Sequence, residues 1–204
     1  SLHTIQSFCM APAQTGLRQR IGYFGSQNGI YLEQNGDTIN FVIRSFSSGS
    51  VVEDRVAQSS WNIDKLDGTG PSLLTLDLTK TQIFWTDIEW LGVGTVRCGF
   101  VINGQYIHCH SFHHSNIANT TYMTTACLPL RVEIENTNSM ANNAQMNVIC
   151  ASVMSEGGYE VRGRNRTAGQ LPNTSYTLTT AGVFYPVASI RLKAERPDAI
   201  VVPK

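Results

Sequence analysis

Charged side chains are scarce in this chain of 204 residues. Asp, Glu, Lys and Arg together make up 15% of it, against roughly 25% in an average globular domain. Their formal charges cancel at pH 7, so the chain lacks the basic excess on which nucleic-acid binding depends. We therefore expect no nucleic-acid partner.

Long apolar runs are missing as well. No segment approaches the ~20 apolar residues that a membrane-spanning helix needs, so we expect no membrane span. No signal peptide is recognisable either. The chain starts at Ser1 without a methionine, and both of its ends have strand-like sequences. We therefore expect a processed chain or a piece of a longer protein.

The cysteines form no recognisable framework. There are five, an odd number, and no two of them are spaced as CxxC, which argues against a disulfide scaffold and against a zinc ribbon. Free thiols, mostly buried, are the expectation, since an unpaired cysteine behaves as a small apolar residue. The cysteines are Cys9, Cys98, Cys109, Cys127 and Cys150.

Helical periodicity is weak, and alternation of apolar and polar residues is found instead. No window longer than roughly ten residues keeps a 3.6-residue repeat, whereas many short alternating segments are separated by turn clusters. The pattern predicts an all-β fold, an antiparallel β-sandwich of the jelly-roll or lectin-like type. Outside two hairpins, the predicted strands are Ile5–Met10, Leu73–Leu78, Ile83–Trp90, Leu130–Asn136, Met146–Ser155, Tyr176–Leu178 and Ala188–Lys193.

The composition changes after residue 155. Apolar residues become fewer while Gly, Arg and Asn become more frequent. We therefore expect a β-sandwich domain over residues 1–155 and a long loop or projecting arm over 156–175. Residues 176–204 would then form C-terminal strands that return to the sandwich or lead to a further module.

The first hairpin is predicted around Asn35-Gly36, a dipeptide that favours a two-residue type I′ turn. With that turn, Leu32 faces Ile39 and Ile30 faces Phe41 on the buried side of the sheet. Tyr31 then lies on the opposite, polar side. Apolar residues pair with apolar ones, which supports the register.

The second hairpin is predicted around Asn103-Gly104 by the same reasoning. Phe100 then faces Ile107 on the buried side, and Val101 faces Tyr106 on the outer side. In this register Cys98 lies opposite Cys109, at a Cα separation of about 5.5 Å. Arg97 would face His110. We expect the two cysteines to remain neighbouring thiols.

The stretch FWTDIEW, residues 84–90, places an aromatic ring beside two carboxylates. On a strand, Trp85, Asp87 and Glu89 share one face while Ile88 lies on the other. Jelly-roll glucanases of the laminarinase type carry Glu-x-Asp-x-Glu along such a face, because retaining hydrolysis needs two carboxyls about 5–5.5 Å apart. Here Trp85 occupies the nucleophile's position, so we expect no glycosidase.

Four of the five histidines fall within YIHCHSFHHSN. His108 and His110 would share a strand face and are the two candidate metal ligands. No carboxylate or cysteine stands at a spacing that would complete the site, and Arg97 beside His110 would repel a cation. We therefore expect a polar patch, with no metal and no other cofactor.

Several stretches resemble a family of structural proteins of tailed bacteriophages, of the marine and cyanophage type. The most specific of them is DLTKTQIFWTDIEWLGVGTVRCGFVINGQ, and the likeness covers about residues 17–160. The resemblance implies a location in the phage particle, as a tail-fibre, tail-associated or capsid-decorating component. It implies no catalytic residues.

The expected function is therefore structural, through contacts with other virion proteins and with copies of the same chain, as a homotrimer, and with host attachment as a further role. The alternative is a non-catalytic carbohydrate-binding module that uses the Trp85/Asp87/Glu89 face and takes a host-surface glycan as its ligand. A jelly-roll glycosidase is the third class. The candidate binding or interface residues are Tyr31, Trp85, Asp87, Glu89, Arg97, Tyr106, His108 and His110.

Overall fold

A computed structural model describes residues 1–138, 143–155 and 179–184. The chain divides into two compact units, Ser1–Glu160 and Val161–Lys204. The described residues form ten strands and one 3₁₀ turn, Gln58–Ser60. The strands are β1 (Leu2–Cys9), β2 (Leu17–Phe24), β3 (Gly29–Asn35), β4 (Thr38–Ser45), β5 (Val52–Ala57), β6 (Gln82–Ile88), β7 (Val96–Ile102), β8 (Gln105–Phe112), β9 (Leu130–Asn136) and β10 (Asn147–Ser155).

The strands form two five-stranded antiparallel sheets. Sheet A has the order β10-β1-β6-β7-β8, and sheet B has the order β5-β4-β3-β2-β9. Each strand pairs only antiparallel with its described neighbours. The prediction of an all-β antiparallel sandwich is confirmed. The part of the chain that the structure describes contains no helix long and apolar enough to cross a membrane.

The core lies between the inner faces of the two sheets. Phe41 of β4 is fully buried, and its ring stacks on that of Trp61 with the centroids 4.0 Å apart. The same ring lies 5.8 Å from Phe84 and 6.2 Å from Phe100, which belong to sheet A. Stacked aromatic rings bury large apolar areas and add a further preference for this geometry, so this cluster joins the two sheets.

The first hairpin has the predicted faces but not the predicted register. Leu32 pairs with Phe41, and Asn35 pairs with Thr38, so that Gly36 and Asp37 form the turn. Of these two turn residues, only Gly36 has a positive φ, +56°, as a type II′ turn requires. The register differs from the prediction by two residues. A two-residue shift leaves every side chain on its predicted face.

The second hairpin turns at Asn103-Gly104 as predicted, with φ values of +52° and +76°. Phe100 faces Ile107 and Val101 faces Tyr106, also as predicted. Further along, a β-bulge between Cys98 and Gly99 inserts one extra residue into β8.

This bulge changes the pairing beyond it. Cys98 lies opposite His110, and Arg97 lies opposite Ser111. The predicted Cys98–Cys109 and Arg97–His110 pairs are therefore wrong. Cys98 and Cys109 are both buried free thiols, and burial raises the pKa of each well above its ordinary value.

The other predicted strands have mixed outcomes. β9 has the predicted bounds, whereas the segment Leu73–Leu78 forms no strand and makes a single bridge, Asp67 to Thr75. Its apolar and polar residues alternate because Leu76 and Leu78 are buried against the core. No described strand pairs with the segment, so it does not become part of a sheet. The sequence analysis missed β2 and β5. The strands expected at Tyr176–Leu178 and Ala188–Lys193 lie outside the described residues, as does the arm expected at 156–175.

Candidate functional site

The candidate residues fall on three different surfaces. Tyr31 lies on the outer face of sheet B, which is the face turned away from the core, and His110 lies on the inner face of sheet A. The other six lie on or directly beside the outer face of sheet A, as the sequence predicted. These six are Trp85, Asp87, Glu89, Arg97, Tyr106 and His108.

Trp85 lies flat across the neighbouring strand. It pairs with Gly99 of β7, and a Cβ at Gly99 would come within 2.7 Å of the indole ring. Only glycine leaves room for such a close approach. The indole Nε1–H donates a hydrogen bond to the carbonyl oxygen of Phe100 at 3.2 Å. The polar atom of the ring is thus already satisfied by the protein.

Three further rings cover Trp85. His3 stacks against it at 5.8 Å with an interplanar angle of 30°, and Tyr106 and His108 each lie 5.8 Å from it at steeper angles. Only 6% of Trp85 is exposed, whereas 56% of Tyr106 is exposed. We call His3, Trp85, Tyr106 and His108 the aromatic cluster. Its solvent-exposed member is the tyrosine.

An ion triad lies beside the aromatic cluster. Arg97 donates a hydrogen bond to Asp87 Oδ2 at 2.7 Å, and its other terminal nitrogen lies 3.5 Å from Glu89 Oε2. Asp87 and Arg97 are direct partners on β6 and β7. Both carboxylates of FWTDIEW therefore share one guanidinium.

The two histidines predicted to share a face do not share it. The bulge turns His110 inward, where its ring lies 6.5 Å from Phe41 and 4.5 Å from Phe112. His108 stays outside, with Nε2 3.0 Å from Ser111 Oγ and 3.2 Å from the carbonyl oxygen of His110. The pairing of His108 and His110 as metal ligands is wrong. Among the residues described, no group of three or more His, Cys, Asp or Glu could hold a metal ion.

Burial lowers the pKa of His110 to about 4. The ring Nδ1 accepts a hydrogen bond from the backbone N–H of Asn62 at 3.2 Å, so the neutral ring is the form that fits this site. Burial also lowers the pKa of His108.

Tyr31 belongs to a second polar surface, the outer face of sheet B. Its ring is fully buried, and the guanidinium carbons of Arg44 and Arg20 lie 5.2 and 5.6 Å from the ring centroid. The hydroxyl donates to Glu53 Oε1 at 2.7 Å. Burial raises the pKa of Tyr31, and the hydrogen bond to Glu53 raises it further.

The carboxylates on this face are held ionised by arginines. Glu33 is fully buried, and it accepts hydrogen bonds from Arg20 at 2.9 Å and from Arg55 at 2.8 Å. Burial alone would raise the pKa of Glu53. Hydrogen bonds from Tyr31, Arg44 and Arg55 outweigh burial and lower it to about 2. The face thus presents a network of paired charges.

An open groove of about 570 Å³ lies at one end of the outer face of sheet A. Ser7 and Ile83, partners on β1 and β6, form part of its floor with Val101, whose own strand partner is Tyr106. Asp77 and Lys80 belong to its lining. The groove therefore lies next to the aromatic cluster.

Sequence reasoning missed two features. His3 lies on the outer face of β1 and stacks on Trp85, and the alternation of SLHTIQSFC was the available signal. The charge network of sheet B was also missed. The available signal was pairs of charged residues two positions apart, which lie on the same face of a strand. Such pairs are Arg18 and Arg20 on β2, and Glu133 and Glu135 on β9.

We expect Trp85→Ala to lower the free energy of unfolding by about 3 kcal/mol, because it empties a buried site. Tyr106→Ala removes a mostly exposed ring and should cost less than about 1 kcal/mol. Chemical denaturation of both variants checks this. Equal losses would contradict the assignment of Trp85 as the buried anchor.

Acid should destabilise the protein through His110. The folded-state pKa of about 4 lies below the ordinary value of about 6.5, so the unfolded chain binds the proton first. The contribution is fully present above about pH 6.5 and is lost as the pH falls towards 4. Melting temperatures between pH 7 and 4 should fall less steeply for His110→Asn than for wild type. The exposed His113→Asn is the control, and identical slopes for all three would refute the expectation.

No family model matches the sequence, and no curated protein matches it. Among solved structures, the crystal structure of Caenorhabditis elegans galectin LEC-6 is similar, with 14% identity and a TM-score of 0.41. The match covers 76% of this chain and 82% of that one. The likeness is distant, and the strand pairing itself establishes the sandwich.

Proposed function

We propose that the chain is a non-catalytic structural module of a phage particle, in a tail-fibre, tail-associated or capsid-decorating position. It acts through contacts with copies of itself and with other particle proteins. One observation carries the proposal: the side chains of the FWTDIEW face are already engaged in contacts within the chain. Trp85 is covered by neighbouring rings, and Asp87 and Glu89 are both paired with Arg97.

These contacts argue against hydrolysis of a glycosidic bond by this face. A retaining glycosidase needs two free carboxyls flanking the bond that it cleaves. Here the position of the first carboxyl is taken by Trp85, and the two remaining carboxylates contact one guanidinium. The outer face of sheet B offers no better site, because Glu33 and Glu53 are each bonded to arginines. Rigid, internally paired faces suit a module whose role is mechanical.

The location in a phage particle is supported by the sequence resemblance, and it is tested on the particles. Antibody raised against the chain should label particles purified by density gradient from a lysate of the producing host. A capsid protein serves as the positive control, because it must band at the same density. Presence of the chain in the lysate but absence from the banded particles would overturn the proposal.

A second candidate function is glycan binding on the outer face of sheet A. The groove of about 570 Å³ favours it, because its lining residue Val101 is the strand partner of the exposed Tyr106. Sugar sites combine an aromatic face with a few polar groups, and here the groove supplies Asp77 and Lys80. Because Trp85 is covered, the stacking ring would be Tyr106.

A glycan array tests this second candidate. Wild type should bind at least one glycan, and Tyr106→Ala should lose the signal while its melting temperature stays within about 4 °C of wild type. Phe184→Ala alters another exposed ring and serves as the matched control that retains binding. Equal signals from wild type and Tyr106→Ala, or no signal from wild type, would eliminate glycan binding at this face.

A further inference from the structure

Strand β10 is exposed along its whole length. All nine residues from Asn147 to Ser155 are exposed to solvent, and the strand NVICASVMS contains no Asp, Glu, Lys, Arg or Pro. Its exposed apolar side chains include Val148, Ile149, Val153 and Met154. Among the described strands, β10 pairs with β1 alone and forms one edge of sheet A.

An exposed edge strand is a template for pairing with another strand. Its outward N–H and C=O groups have no partner in the sheet, and proteins usually protect such edges with charged residues, proline or a covering segment. The described sheets have four edges, formed by β10 and β8 in sheet A and by β5 and β9 in sheet B. The other three are protected.

The edge at β8 is covered by a loop. The backbone N–H groups of Ile63 and Asp64 both donate to the carbonyl oxygen of Cys109 at 3.1 Å. Asn62 adds two hydrogen bonds to Ser111, because its side chain donates to the carbonyl oxygen at 2.9 Å and accepts from the N–H at 2.9 Å. A second strand has no access there.

The edges of sheet B carry charges instead. β5 has Glu53, Asp54 and Arg55 in succession, and β9 has Arg131, Glu133 and Glu135 at alternate positions. An antiparallel copy of either strand would have to accommodate these charges beside its own. Within the part of the chain that the structure describes, strand β10 has neither a covering loop nor charged side chains.

We propose that β10 pairs antiparallel with β10 of a second copy of the chain, so that sheet A continues across a twofold axis into a ten-stranded sheet. The proposal rests on the proposed structural function and specifies one of its subunit contacts. A second copy is the occupant because an uncharged strand is complementary to itself. No like charges meet when it pairs with its own reverse.

The alternation of β10 restricts the register. Ala151 and Val153 lie on the inner side of the sheet, opposite Gln6 and Thr4, while Ser152 lies on the outer side. A twofold axis perpendicular to the sheet must place inner residues opposite inner residues. Between Cys150 and Ser155, the axis therefore passes beside one residue, which then lies opposite its own copy.

Such a contact closes on itself as a dimer. The homotrimer expected from the sequence would need a different surface. A single pair of strands buries less than the roughly 1,600 Å² of a standard interface, so the dimer should dissociate on dilution.

Sedimentation equilibrium of the full chain over a wide concentration range tests the proposal. Wild type should form a dimer at high concentration, and Val153→Lys should weaken dimerisation at least tenfold, because it sets two like charges on the paired strands. Ile134→Lys is the matched control, since Ile134 on the charged edge β9 is 45% exposed and Val153 is 43% exposed. This control should dimerise like wild type. Unchanged circular dichroism spectra confirm that both variants fold.

Cross-linking identifies the register independently. In a background with Cys127→Ser, a single exposed β10 cysteine is placed in turn at each position from 150 to 155. The other five proteins of this series also carry Cys150→Ser. A residue opposite its own copy has a Cα separation of about 4.5–5.5 Å, which is within disulfide range. We expect mild oxidation to give a covalent dimer for one position and little for its neighbours.

A wild type that stays monomeric, a dimer that Val153→Lys leaves intact, or a dimer with no cross-link at any of the six positions would each overturn the edge pairing. None of these outcomes tests whether the chain is located in the phage particle. Absence of the chain from purified particles would instead refute the structural function without contradicting the dimer.

Discussion

The packing of Phe41 against Trp61 and against the rings of the opposite sheet is the contact on which the rest of the structure depends. Its centroid lies 4.0 Å from that of Trp61 and 5.8 Å from that of Phe84. Because aromatic and aliphatic residues from both sheets fill the interior, each strand must direct its remaining residues outward. The outer faces then carry the ion pairs of the described strands. The candidate sites are therefore on the outer faces.

Alternation in the sequence predicted which way most side chains point, but not how the strands are aligned. The face of Leu32 and Tyr31 was predicted correctly although the hairpin register was two residues off, because a two-residue shift preserves the face. The bulge at Cys98/Gly99 is different, since it adds one residue to β8. A shift of one residue places the side chains beyond the bulge on the opposite face of the sheet. His110 therefore lies in the core beside Phe41, and no turn signal in the sequence indicated it.

The outward position of Trp85, Asp87 and Arg97 was predictable, but their contacts were not. Strand alternation indicates a face, whereas the path of a side chain across that face depends on its neighbours. Trp85 reaches across β7 because Gly99 has no side chain, and His3 covers it from β1. The contacts within the charge network of sheet B were likewise not predictable from alternation. Arg20 contacts Glu133, 113 positions further along the chain, and such a pairing follows only from the order of the strands.

The few charged residues of the chain are unevenly distributed between the two sheets. Charged residues in the described strands are concentrated in sheet B, on its outer face and at both of its edges, where arginines and glutamates neutralise one another. Sheet A has the Asp87–Arg97 pair on its outer face and none on β10. Charge would both solubilise an edge and repel a second strand. Sheet B keeps that protection at both edges. Sheet A has a loop over one edge, and no described residue pairs with or covers the other. The asymmetry makes β10 the edge at which the sheet can be extended.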